Sequence, residues 1–199
     1  MPKIITEQER ERTKKAIIKH TKQLILTNKG IKGITVDDII QAVGLNKSAF
    51  YSYYKSKEEC IYDVFEKIQA DSFEQSDMIL QENVPIKEKV IRFFSDVYLA
   101  EDSVIYYVSS TDVEVLFRKL PAEYNEKEQI MMGDSTITYV MKALNFDKIQ
   151  AETLTMLFRC IDYTATFHEI SNEARKESLN TLVLSLAEYI EKNSKMQTE

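Results

Sequence analysis

The chain has 199 residues, 44% of them hydrophobic and 29% charged, with a formal net charge of −6. Such a balance excludes a disordered or membrane-embedded chain. Four glycines and three prolines are too few for a strand-rich fold, which needs turn residues every ten or so positions. An all-α protein of about nine helices joined by short loops is expected.

Met1-Pro2-Lys3-Ile4-Ile5-Thr6 begins no apolar run of the kind a secretion signal needs, and no later segment approaches the ~18 apolar residues of a membrane span. A cytoplasmic protein with no membrane contact is expected. Thr6 and Glu9 form a capping-box pattern that opens the first helix. Ile17, Ile18, Leu24 and Ile25, with Thr21 between them, keep one apolar face to about Asn28, and Gly30 falls where a left-handed cap is expected. Thr35 caps a second helix, with Asp37 and Asp38 at its positive end and Ile39, Ile40 and Val43 on its face. Gly44 ends it after barely two turns. Asn46 caps a third short helix over 47–54. Ser56 caps a fourth, running over 56–82, with Glu58 and Glu59 in its first turn and Ile61, Val64, Phe65 and Ile68 on its face. Two short helices joined by a three-residue turn and braced by a longer helix on either side make a helix-turn-helix.

Further helices are expected from Ile86 to about Ala100 behind Pro85, over Ser103–Ser109, Asp112–Leu120 and Ala122–Leu144, where Gly133 is a kink point, then Asp147–Ile170 and Asn172–Lys192. The domains are expected to be 1–55, a three-helix DNA-binding head, and 56–199, a larger helical body, with helix 56–82 connecting them.

The net charge hides an asymmetry. Residues 1–55 hold eleven basic and five acidic side chains, leaving fifteen basic and twenty-seven acidic for 56–199. A basic head on an acidic body suits local contact with phosphates, the remainder being repelled. Taken alone, the basic and aromatic stretch equally suits a solvated face with aromatics used for packing. Enzymatic chemistry is not expected: the two histidines, His20 and His168, lie on separate helices, and there is no nucleophile elbow, P-loop or clustered metal ligands. No cofactor and no metal are expected. Cys60 and Cys160 match no metal or redox spacing and read as free thiols in a reducing compartment.

The run from Gly30 through Thr35, Ile39, Ala42-Val43-Gly44-Leu45, Asn46-Lys47-Ser48-Ala49-Phe50-Tyr51-Ser52-Tyr53-Tyr54 to Ser56-Lys57-Glu58 closely resembles the TetR family of bacterial repressors. The match is gapless over about thirty positions. The resemblance implies a DNA-binding transcriptional regulator, a repressor released from double-stranded operator DNA by a small-molecule inducer. A helical protein-interaction module without sequence-specific DNA binding is the alternative. Expected DNA contacts are Thr35, whose helix amino terminus faces a phosphate, Lys47, Ser48 and Ala49 at the start of the recognition helix, Tyr51 toward a thymine methyl or phosphate, and Ser52, Tyr53 and Lys57 on the backbone. Phe50 and Tyr54 are expected to be core pegs against Ile18, Ile25 and Ile39. Three positions depart from the family pattern: Ser48-Ala49 replaces Gly-Thr, Asn46 replaces a Ser, and Cys60, expected in the core, replaces a Leu. The first of these separates the operator from those of relatives.

The resemblance also implies a homodimer through the last two helices. Leu179, Leu182, Val183, Leu186 and Ile190 form one stripe, and the preceding helix carries two: Leu154, Leu157/Phe158, Ile161 and Ala165, and Met156, Cys160, Tyr163 and Phe167. A helix apolar on two faces is buried on both. Leu154, Phe158, Ile161, Ala165, Leu179, Leu182, Val183, Leu186 and Ile190 are expected at the dimer interface. Phe94, Tyr98, Tyr106, Tyr107, Phe117, Met132, Tyr139, Met156, Cys160, Tyr163 and Phe167 are the candidates to wall an inducer pocket; the alternative is that most of them simply fill the core. Arg159 and Asp162 suit an interface ion pair, the pocket or an exposed edge.

Overall fold

The computed structural model describes residues 6–28, 30–124, 127 and 148–194, and these are helical without a strand. The elements are α1 (Glu7–Thr27), α2 (Val36–Val43), α3 (Lys47–Tyr51), α4 (Lys57–Gln81), α5 (Ile86–Arg92) continuing as a π-helical segment Phe93–Tyr98, α6 (Ser110–Phe117), α7 (Lys148–Thr166) and α8 (Asn172–Asn193). The segment expected as helix 103–109 is only a 3-10 turn, Val104–Tyr106, and the helix expected from Ala122 opens as another, Ala122–Tyr124. The remainder of that helix, with Met132, Gly133 and Tyr139, lies outside the described residues.

Local chemistry sets the helix starts. Thr6, Thr35 and Ser109 each accept a hydrogen bond from the backbone N–H three residues on, and the carboxylates of Glu9, Asp38 and Asp112 accept one from the cap's own N–H. These reciprocal pairs satisfy donors that a helix leaves unpaired. Gly44 ends α2 at φ 75°, a left-handed conformation that costs a side-chain-bearing residue about 1 kcal/mol or more. Gly30 has φ 139°, and a Cβ there would lie 3.2 Å from the Tyr107 carbonyl oxygen. The residue directly after α1 is Asn28 in right-handed geometry rather than a left-handed cap, and the Gly30 N–H closes the helix end by donating to the Ile25 carbonyl at 2.9 Å. The positive φ of Gly30 also lets the α1–α2 loop lie against the body.

The described residues form two apolar cores. The first joins Ile17 and Ile25 of α1, Ile31 and Ile34 of the loop, Ile39 of α2 and Phe50 and Tyr54 to Cys60, Ile61, Tyr62, Val64 and Phe65 of α4, and to Val108, Leu116, Phe117 and Leu120 around α6. The boundary expected at residue 55 therefore cuts through a core: α4 and α6 close the head from below. Cys60 lies at its centre beside the Thr21 hydroxyl, and burial pushes the thiol up to about 12. A thiol so protonated packs as a small apolar group. The second core joins Val90 and Phe94 to Leu154, Phe158, Ile161 and Ala165 of α7 and Leu179, Val183, Leu186, Ala187 and Ile190 of α8.

This second core reverses the faces expected for α7. Eight of the nine residues expected at a dimer interface are buried within a single chain, and Leu182 is partly buried against the same core. They are occupied by the chain's own helices, because α5 and its π-helical extension cover the inner side of the α7–α8 pair. The stripe assigned to a pocket wall is the one left open: Met156 is 61% and Tyr163 67% exposed, Cys160 is exposed, and Phe167 is half-buried with its ring stacked on Tyr163. The other described pocket candidates occupy three places. Phe94 and Tyr98 lie in and against the second core, Phe117 in the first, and Tyr106 and Tyr107 in the connection between them. Arg159 is exposed beside the open stripe, whereas Asp162 accepts a hydrogen bond from the Tyr98 hydroxyl.

Gly30→Ala should lower stability by about 1–3 kcal/mol, through strain at positive φ added to the contact with Tyr107. Ala in place of exposed Gly33, where a Cβ meets nothing within 4 Å, should cost less. Thermal melts of the two variants compare them directly.

Candidate nucleic-acid interface

The third helix is five residues long, too short to persist in water by its own hydrogen bonds. It is held at its start by Asn46, whose side-chain oxygen accepts from the Ala49 N–H at 2.8 Å. On its inner side Phe50 is fully buried, with Tyr54 tilted against it at a ring separation of 5.7 Å. The Tyr54 hydroxyl donates to Asp63 on α4 at 3.1 Å, and Lys14 of α1 approaches the same carboxylate at 2.7 Å. Two aromatic pegs, one tied to a carboxylate, thus seat the helix on α1, α2 and α4.

Anchoring through Phe50 determines what faces outward. Lys47 and Ser48 are exposed, Ala49 is half-buried, and the Tyr51 ring is 52% exposed with its edge toward Phe50. Ser52 is exposed and Tyr53 half-buried. The structure therefore gathers Lys47, Ser48, Ala49, Tyr51, Ser52 and Tyr53 on the open side of α3 and its exit.

Two of the expected contacts are already engaged. The Thr35 hydroxyl donates to Asp38 Oδ2 at 2.7 Å and accepts from the Asp38 N–H. The hydroxyl and N–H of Thr35 hold that carboxylate below the usual carboxylate range. The start of α2 thus carries a negative charge beside its amides, weaker for a phosphate than the sequence pattern alone implies. Lys57 is also committed, its ammonium donating to the Ile34 carbonyl at 2.6 Å, which ties the start of α4 to the α1–α2 loop. Lys47 is paired with Asp37 at 3.0 Å, but both are well exposed, so solvent leaves this pair weak and exchangeable.

One residue of this surface escaped the sequence pattern. Arg10, on the first turns of α1, donates from Nη2 to the Ser52 carbonyl at 3.0 Å, and its guanidinium lies 5.1 Å from the centre of the Tyr53 ring. The two residues are forty-two positions apart, and no periodicity connects them. The only sequence signal was an excess of cations on α1.

Among the described residues no group of three or more His, Cys, Asp or Glu side chains could hold a metal, and no helix is long and apolar enough to cross a membrane. Tyr51→Ala should leave the melting temperature within about 2 °C and weaken duplex binding about tenfold, the size of one lost base contact. Its neighbour should behave oppositely, Phe50→Ala costing about 3–5 kcal/mol of stability. Melting and duplex titration of both variants separate the packing face from the reading face.

Residues 17–64 match the family model described as bacterial regulatory proteins, tetR family. No match was found among curated proteins. The matched residues run from the first fully buried position of α1 through the helix-turn-helix to Val64 of α4, taking in all but Phe65 of the α4 residues that close the head core. Helices packed in this way, with a lysine, serines and tyrosines on the open side of α3, make the chain a DNA-binding transcriptional regulator that carries the amino-terminal domain of the tetR family.

Proposed function

We propose that the chain is a cytoplasmic homodimeric repressor that leaves its operator when a small-molecule inducer binds in the helical body. The observation that carries the DNA-binding part is the division of α3 into a buried Phe50 and an open face of Lys47, Ser48 and Tyr51. Lys47 exchanges Asp37 for a phosphate, while Ser48 and Tyr51 meet base edges in the major groove. Two copies of α3 are needed to read two half-sites about 34 Å apart.

The open stripe of α7 supports the dimer. Met156, Cys160 and Tyr163 lie on that stripe, and Leu184 on α8 is 46% exposed. An isologous contact brings the same patch together from both subunits. The two stripes of α7 then have different partners: its own chain covers Leu154, Phe158, Ile161 and Ala165, and a second copy covers Met156, Cys160 and Tyr163.

The inducer reading rests on the aromatic groups near the connection 99–109. Tyr98, Tyr106 and Tyr107 stand there, and the same connection touches the head: Lys22 of α1 pairs with Asp102 at 2.8 Å, and Gly30 abuts the Tyr107 carbonyl. A ligand that prefers a displaced connection shifts α1 and α3 with it, and its differential affinity supplies the free energy.

A duplex from the region upstream of the chain's own gene should bind at low salt, and the affinity should fall steeply as salt rises, because bound phosphates release counterions. No binding at low salt would show a helical module that does not read DNA. For the dimer, sedimentation of the wild type should give two copies and Tyr163→Glu one. Duplex affinity should drop about a hundredfold as the two heads become independent. Cys160 should react with an alkylating reagent faster in that variant than in the wild type, with Cys60 inert in both. A wild type that binds the duplex as a monomer would overturn the dimer.

A further inference from the structure

We propose that Arg10 is a positioning residue for DNA reading: it fixes the exit end of the recognition helix and thereby sets the angle at which Lys47, Ser48 and Tyr51 meet the bases. The inference rests on the DNA-binding reading and adds to it a residue outside the helix-turn-helix and outside the family match, which begins at residue 17.

Phe50 and Tyr54 hold one side of α3, and a short helix held on one side can still pivot about its peg. The entry end is steadied by the Asn46 cap. At the exit, the Ser52 N–H and hydroxyl turn back onto the Ala49 carbonyl, and the Tyr53 N–H onto that of Phe50. The Ser52 carbonyl accepts from the Arg10 guanidinium, which also lies against the Tyr53 ring. A guanidinium is planar and carries several fixed N–H groups, so one side chain can hold a carbonyl and a ring face together. A cation at the carbonyl end of a helix is also the favoured sign.

Arg10 has no share in the core. It precedes Ile17, the first fully buried residue of α1, by seven positions, or about 10 Å of helix. Its side chain is exposed, so the contact with Ser52 and Tyr53 does not come from packing that would hold it there regardless. Phosphate contacts set affinity for any duplex, whereas base contacts depend on the angle of the helix. A positioning residue therefore acts on discrimination and leaves general affinity nearly intact.

The test compares wild type, Arg10→Lys and Arg10→Ala on a randomised duplex library, alongside amide exchange of the free proteins. Arg10→Lys keeps the charge and loses the planar fork. It should bind the unselected library within about twofold of wild type, yet discriminate the enriched sequence about tenfold less well, one charge-assisted hydrogen bond being of that order. In both variants without DNA, the amides of residues 52–54 should exchange faster at an unchanged melting temperature. Arg10→Lys that enriches the same sequence with undiminished discrimination would overturn the proposal. So would Arg10→Ala that weakens all duplexes equally and lowers the salt slope by about one, which marks a plain phosphate contact. Undisturbed exchange over 52–54 would overturn it without reference to DNA. A wild type that enriches no sequence, with exchange altered as expected, would instead refute the DNA-binding reading while leaving the structural link from Arg10 to α3 in place.

Discussion

The DNA-facing geometry depends on the burial of Phe50. A helix of five residues has little intrinsic stability, and the whole of α3 is organised by one ring that is fully enclosed among α1, α2 and α4. Burying a phenylalanine side chain removes enough apolar surface from water to contribute about 2–3 kcal/mol. Once that ring is seated, the helical repeat decides the remainder. Ser48 and Tyr51 have to turn away from it, Lys47 stays exposed as the first residue of the helix, and Tyr54, one turn on, falls inward beside Asp63.

The same core explains why head and body are joined more intimately than a linker would allow. Helix α4 supplies Cys60, Ile61, Tyr62, Val64 and Phe65 to the head core, and residues around α6 supply Val108, Leu116, Phe117 and Leu120. Polar contacts accompany the packing. Lys32 in the α1–α2 loop meets Asp112 at the start of α6 at 2.9 Å, and Lys119 approaches Glu58 at 3.8 Å. Burial alone would raise the Asp112 carboxyl, but the Lys32 ammonium and the Ser109 hydroxyl and N–H hold it below the usual range. This interaction is fully present above the ordinary carboxylate pKa and is lost as pH falls through the lowered value. On the far side, His168 at the end of α7 bonds the Tyr106 carbonyl, and Arg175 of α8 bonds His168. A continuous set of contacts therefore runs from α8 through the connection 99–109 to α1.

Many features were legible because they depend on neighbours in sequence. The caps at Thr6, Thr35, Asn46 and Ser56 act over three residues, and the structure has all four. The inward pegs Phe50 and Tyr54 follow from their spacing within a recognisable motif. Gly44 takes the left-handed conformation that its place after α2 demands. Gly30 closes the end of α1 through its N–H on the Ile25 carbonyl, as its place after the helix suggests, whereas its approach to the Tyr107 carbonyl on a distant segment has no local signal.

By itself the sequence determined the all-helical class, the helix-turn-helix and the presence of two apolar stripes on α7, because all three follow from local hydrogen bonding and from the periodicity of apolar residues. Only the tertiary structure decided which stripe of α7 turns inward. Both are apolar, and the choice falls to the π-helical segment and α8, which enclose Leu154, Phe158, Ile161 and Ala165 and leave Met156, Cys160 and Tyr163 open. It likewise decided that Arg10 reaches the end of α3, since a contact across forty-two residues has no period to be read. The physical reason is the same in both cases: periodicity records that a face will be buried, and only packing identifies what will cover it.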